Sequence, residues 1–97
     1  MNKNTRENME QMCIYVKNTK IHFFKCVFVY KNINELELME KIREIGAFPM
    51  DYETDYINQV FVELKNGKRK TISTEGENLK INPGDTILVE SRKKEDY

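Results

Sequence analysis

LKINPGDTILVES, residues 79–91, sets a Pro-Gly-Asp turn between a short apolar segment and an alternating one near the end of a 97-residue chain. Pro83 presets φ for the turn, Gly84 supplies its positive-φ position, and Asp85 can bond forward to backbone N–H groups. The chain therefore reverses sharply into a strand over 85–91, with Ile87 and Val89 on one side. A strand launched this late must find its partners among elements already laid down.

Those elements can be read by working upstream. TEGENLKINPGD (74–85) is a loop that buries Leu79 and Ile81. RKTIS (69–73) is a short return strand, and KNGK (65–68) carries the Asn-Gly pair of a type I′ hairpin. INQVFVEL (57–64) alternates, with Val60, Val62 and Leu64 on one face. An irregular crossing, AFPMDYETDY (47–56), separates it from NINELELMEKIREIG (32–46), where Leu38, Ile42 and Ile45 form an apolar stripe flanked by Leu36 and Met39. Asn34 with Glu37 three residues on gives this helix a capping box, and Gly46 followed by Pro49 stops it. QMCIYVKNTKIHFFKCVFVY (11–30) is aromatic and β-branched, with one polar interruption at Lys17–Lys20, and reads as a hairpin.

The order is strand, strand, helix, strand, short strand, strand. A single helix can bury its stripe only against one face of the sheet. The expected fold class is α+β, a single-domain β-grasp with a mixed sheet, its first and last strands parallel at the centre. Residues 11–91 form the domain, between a flexible N-terminal tail over 1–10 and a loose tail over 92–97.

Sixteen basic and sixteen acidic side chains cancel, so no long-range field draws the chain to nucleic acid or an anionic membrane. No apolar run approaches the roughly 20 residues that span a bilayer, and MNKNTRENMEQM (1–12) has no apolar signal core. The expected location is cytoplasmic. In a reducing compartment Cys13 and Cys26 are expected as free thiols, and two cysteines do not build a tetrahedral zinc site.

From Leu38 to Val89 the chain resembles the soluble-ligand-binding β-grasp (SLBB) family. The likeness rests on the corner Ile45-Gly46-Ala47-Phe48, the hairpin INQVFVELKNGKRKTI (57–72) and the ending LKINPGDTILV (79–89). It implies a non-catalytic module that binds sugars, cobalamin-like ligands or partners in export assemblies. Where that family has a double-glycine corner, this chain has Gly46-Ala47. The ubiquitin-like β-grasp proteins are a second resemblance. Their conjugating members end in Gly-Gly, whereas this chain ends Glu95-Asp96-Tyr97, which implies neither conjugation nor sulfur transfer.

No catalytic constellation stands out. His22 is the only histidine and is expected opposite Tyr15 on the hairpin. DYETDY (51–56) spaces three carboxylates like a calcium loop, but Tyr56 and Val62 occupy the positions where an EF-hand needs Gly and Glu. A solvated loop is the expectation, with no metal. There is no Walker loop and no Rossmann glycine pattern, so no cofactor is implied. Lys65, Lys68, Arg69 and Lys70 crowd one hairpin tip, where they could grip an anion or simply protect an edge strand.

With Asn18-Thr19 as a two-residue turn, paired positions in the hairpin sum to 37. Cys13 then faces Phe24 with Cys26 diagonal to it, at the roughly 7–8 Å that separates diagonal Cα atoms, too far for a disulfide. One face collects Ile14, Val16, Ile21, Phe23, Val27 and Val29, with Lys25 as a misfit; the other collects Cys13, Tyr15, His22, Phe24, Cys26, Phe28 and Tyr30. Phe61 and Leu88 also point away from the helix. A sheet with one helix should be polar on its second face. Either this aromatic face is an interaction surface, with Tyr15, Phe24, Phe28, Phe61 and Leu88 as its residues, or a bulge near Lys25 turns some rings inward. The expected function is a binding module that docks a protein partner or a second copy of itself. The alternative is an SLBB-type small-ligand or saccharide site built from Tyr52 and Tyr56 of the crossing and Lys68, Arg69 and Lys70 of the hairpin.

Overall fold

A computed structural model describes residues 10–64, 66–72 and 80–94. Its strands are β1 (Gln11–Asn18), β2 (Phe23–Tyr30), β3 (Tyr56–Glu63), β4 (Arg69–Thr71) and β5 (Thr86–Lys93), with one α-helix, α1 (Glu35–Glu44). They form one mixed five-stranded sheet in the order β2-β1-β5-β3-β4. β1 and β5 pair in parallel and the other neighbours are antiparallel. The molecule is thus a small α+β domain, compatible with the β-grasp class expected of it.

α1 begins as its sequence requires. Asn34 Oδ1 accepts from the Glu37 N–H at 2.8 Å, and Glu37 Oε1 accepts from the Asn34 N–H at 3.2 Å, which satisfies two donors that helix geometry orphans. It ends at Gly46, φ 84°, where the Ala47 N–H reaches the Ile42 carbonyl and the Gly46 N–H the Arg43 carbonyl, a Schellman closure. Leu38 and Ile42 are fully buried, Met39 and Ile45 partly so, whereas Leu36 is half exposed and outside the stripe. They meet Met12, Ile14, Val16, Val27, Val29, Val60, Val62, Ile87 and Val89 in a single core. Ile81 joins it as expected; Leu79 lies outside the described residues.

The Pro83-Gly84 turn has the type II form. The Asp85 N–H bonds the Asn82 carbonyl at 3.0 Å and Gly84 sits at φ 85°. Asp85 does not bond forward: its Oδ2 accepts from the Asn82 N–H behind it at 2.8 Å, closing the turn on itself. The Gly84 N–H also donates to the Cys13 carbonyl, so the turn is stitched to β1 before β5 begins. A Cβ at Gly84 would meet no atom within 4 Å, so the first cost of any side chain there is that of left-handed backbone. Gly84→Val is expected to lose more than about 1 kcal/mol in a denaturant melt. A neutral result would remove the turn from this account.

Four boundaries and turns differ from expectation. The β1–β2 register pairs positions summing to 41 rather than 37 (Gln11 with Tyr30, Asn18 with Phe23), because Asn18 stays in β1 and the reversal is a 3-10 turn over Thr19–Ile21 closed by His22 at φ 54°. The second hairpin is not type I′. Gly67 is left-handed and Asn66 is not; Gly67 N–H bonds the Leu64 carbonyl and Leu64 N–H bonds the Lys68 carbonyl, the pattern of a three-residue loop. Lys65 lies outside the described residues. At the C-terminal end Arg92 and Lys93 belong to β5, paired with Ile57 and Tyr56, so the strand outruns its expected end at Ser91. At the other end Glu10 belongs to the ladder, its carbonyl accepting from the Lys31 N–H and its carboxylate from Lys31 Nζ at 2.7 Å. That hydrogen bond, with the adjoining charge, holds the Glu10 carboxyl below its usual range. The remainder of both expected tails, 1–9 and 95–97, lies outside the described residues.

Candidate functional site

The register shift preserves the division of side chains, since it moves β2 by an even number of residues and side chains alternate with period 2. Ile14, Val16, Val27 and Val29 face α1; Ile21 instead falls in the turn. Pairing runs unbroken from Phe23 to Tyr30, so there is no bulge at Lys25, and the rings are not turned inward by one. Lys25, opposite Val16, is exposed at the sheet edge.

The open face carries the aromatic groups expected of it, in two clusters. On β1 and β2, Phe24 and Phe28 are each 64% exposed, and Tyr15 stacks on Phe24 with ring centroids 5.7 Å apart. On β3 and β5, Phe61 pairs with Leu88, both half-buried. The Arg69 guanidinium covers the Phe61 ring at 5.5 Å while pairing with Glu90 at 3.1 Å, so this second cluster is already capped. Lys17 stands between the clusters, opposite Phe24 on one side and Leu88 on the other. The five expected contact residues therefore share one face, but only Phe24 and Phe28 project freely from it.

The cysteines overturn an expectation. Cys13 and Cys26 are joined by a disulfide, with Cα atoms 6.4 Å apart. They remain diagonal, Cys13 opposite Phe28 and Cys26 opposite Tyr15. The twist of an antiparallel pair brings one diagonal closer than a flat ladder would, inside disulfide reach. The bond lies within the aromatic cluster and fastens the outer strand β2 to β1. Disulfides persist in oxidising surroundings, so the cysteines no longer argue for the cytoplasm. Among the described residues no helix is long and apolar enough to cross a membrane.

The small-ligand residues are not brought together. Tyr56 starts β3 opposite Lys93, whereas Glu63, at the other end of β3, is opposite Arg69. Seven residue steps at about 3.3 Å put the crossing roughly 23 Å from the basic hairpin. Tyr52 is tied locally: it stacks on Phe48 at 4.8 Å and its hydroxyl accepts from Arg43 Nε at 3.0 Å. Lys68, Arg69 and Lys70 are exposed, with Arg69 engaged as above. His22 sits in the turn, not opposite Tyr15, at the left-handed position that closes it. Asp51, Glu53 and Asp55 are exposed on a turn whose N–H groups at Thr54 and Asp55 bond the Asp51 carbonyl.

Two features escaped sequence reading. The first is Asn18, 1% exposed, which donates from Nδ2 to the Ala47 carbonyl at 2.9 Å and to Ser91 Oγ at 3.0 Å and accepts from the Lys20 N–H. Ser91 Oγ in turn donates to Asn58 Oδ1, and Asn58 Nδ2 donates to the Tyr52 carbonyl. This chain of bonds pins the crossing to the sheet. The second is a groove of about 470 Å³ between α1 and the outer end of β2, floored by Val29 and Ile33 and rimmed by Glu37, Glu40, Lys41 and Glu44. No protein-family model matches the chain, and no curated protein matches it significantly.

Proposed function

We propose that this chain is a β-grasp binding module without catalytic activity, and that it docks a partner protein or a second copy of itself through the open, aromatic face of its sheet. The parallel β1–β5 pair inside a mixed sheet with one helix supports the β-grasp reading. A single observation carries the docking reading: two phenylalanines, each 64% exposed, stand beside a stacked Tyr15 on a disulfide-fastened strand pair. Solvated aromatic rings on a rigid platform are what a partner desolvates most profitably, and such anchors dominate interface energies. Phe24 and Phe28 are the primary anchors, Tyr15 supports them, and Phe61 and Leu88 form the rim. The SLBB-type ligand pocket has less support, since its two halves stand at opposite ends of β3.

Phe28→Ser tests the reading. The variant is expected to melt within about 0.5 kcal/mol of the wild type, as surface substitutions do, while self-association or partner capture is lost. If Phe28 were core, truncation would cost about 3–5 kcal/mol. A large stability loss in a protein that sediments as a monomer throughout would sink the docking face.

A further inference from the structure

We propose that the outer edge of β2 pairs with β2 of a second copy of this chain, antiparallel and centred on Cys26, so that two sheets join into one. The inference needs the strand edge, and stands whether or not the aromatic face docks anything. Three observations carry it.

The first is the edge itself. The Lys31 N–H bonds the Glu10 carbonyl, which makes that couple a hydrogen-bonded pair; alternation along an antiparallel ladder then makes the couples containing Phe24, Cys26 and Phe28 non-hydrogen-bonded. The Tyr15 N–H confirms the phase, since it points the other way, to the Asp85 carbonyl of the β5 side. The backbone N–H and C=O groups of Phe24, Cys26 and Phe28 therefore point outward from the sheet, and among the described residues no strand lies beyond them. At one end the Tyr30 carbonyl accepts from the Ile33 N–H, and at the other the His22 N–H bonds the Thr19 carbonyl, so the open edge is these three residues. Native edges are blunted by shortness and charge. The opposite edge, β4, has three residues, Arg69–Thr71, two of them cationic. β2 has eight, FFKCVFVY, with Lys25 as its one charge, and the disulfide fastens it to β1. An arriving strand thus meets a preorganised template.

The second is that the edge complements itself. Two copies related by a two-fold axis, the commonest arrangement, bring like strands together antiparallel. FKCVF, residues 24–28, has Phe at either end and Cys26 at its centre. With Cys26 opposite its own equivalent, Phe24 lies opposite Phe28 of the second copy, and every outward group is used in roughly six hydrogen bonds. Sliding the second copy by two residues one way sets Lys25 opposite Lys25, a repelling couple, and Phe28 opposite His22, whose N–H is taken. Sliding it the other way sets Phe24 opposite Tyr30, whose carbonyl is taken. In the central register Lys25 lies opposite Val27, and both exposed ammonium groups can turn to solvent. Lys25 thus selects the register without closing the edge. The chain carries no net charge to hold two copies apart.

The third is what this register brings to the groove. The groove meets β2 only at Phe28, Val29 and Tyr30, and its floor, Val29 and Ile33, is apolar. In the central register Phe23 of the second copy stands opposite Val29, on the side of the sheet that faces α1. Phe23 is half-buried and packs at the margin of its own core, so part of its ring is left for a neighbour to cover. The same pairing therefore places an aromatic ring beside an apolar floor at both ends of the joint, once for each copy.

The test uses the full chain with its disulfide intact. Sedimentation should show a reversible dimer, and amide exchange at Phe24, Cys26 and Phe28 should slow as concentration rises while that at Arg69–Thr71 does not. Lys25→Cys and Lys17→Cys each add one free thiol, since Cys13 and Cys26 are bonded. Position 25 lies diagonal to its equivalent across the joint, roughly 7–8 Å away, and should be linked by a short bismaleimide. Position 17, on the open face of β1, stands three strand spacings from its equivalent, at least about 14 Å, and should not be linked. Docking through the aromatic face would reverse that pair of results. Phe24→Pro removes an outward N–H that Phe24→Ser keeps, and should weaken the dimer roughly tenfold more than Phe24→Ser does. The proposal is overturned by a chain that stays monomeric up to about 1 mM, or by edge amides indifferent to concentration. Linking at position 17 in place of 25, or equal effects of Pro and Ser, would overturn it too.

Discussion

Replacing Cys13 and Cys26 by Ser, or reducing their bond, is expected to lower stability by about 3 kcal/mol, the loop-closure value for a crosslink spanning 13 residues. For a domain of this size that corresponds to roughly 12–24 °C in melting temperature. The unreduced, unfolded protein should show no titratable thiol, and two after reduction. Two thiols before reduction would contradict the pairing. The same experiment bears on function, because the bond lies between Tyr15 and Phe28 in the cluster proposed to dock. If the platform must be rigid, the Ser variant should also bind its partner more weakly while keeping every aromatic side chain.

Asn18→Ala should cost about 2–3 kcal/mol, although Asn18 looks from its neighbours like an ordinary turn residue. The side chain is fully buried and its removal strands the buried Ala47 carbonyl, takes a donor from half-buried Ser91 and frees the N–H of exposed Lys20; the first two losses carry the cost. Asn18→Asp separates polarity from volume. The introduced carboxyl would set an oxygen against the Ala47 carbonyl, so burial and that oxygen raise its pKa in the folded state above the unfolded value. Relative to the wild type, this variant should be least stable above the raised pKa and recover as pH falls and the carboxyl becomes a donor. A difference that does not change with pH would place Asn18 outside the network.

Both results concern the same lapse in the sequence reading. Lys17-Asn18-Thr19-Lys20 is polar and sits between two apolar runs, so local chemistry marks it as the turn. What moves the reversal onward is a contact with residues 29 and 73 positions away. No local pattern contains that information. The disulfide escapes the sequence for a related reason: Cys13 and Cys26 are diagonal in the expected register and in the observed one alike, but whether the diagonal is short depends on the twist of the finished sheet. The groove and the separation of Tyr56 from Arg69 were likewise invisible, since both depend on which strands become neighbours.

Much else was legible because it is settled within a few residues. Asn34 and Glu37 cap α1, Gly46 ends it in a left-handed closure, and Pro83-Gly84 turns the chain into β5, each by backbone preferences that hold in any context. Alternation in β2, β3 and β5 settled which side chains face α1, and survived a wrong register because the error was even. The sequence by itself thus determined the elements, the two faces and the aromatic character of the open one. Tertiary structure alone decided the hairpin register, the burial of Asn18, the Cys13–Cys26 bond and the outward edge of β2, because each arises from pairing between segments distant in the chain, where geometry rather than local propensity sets the energy.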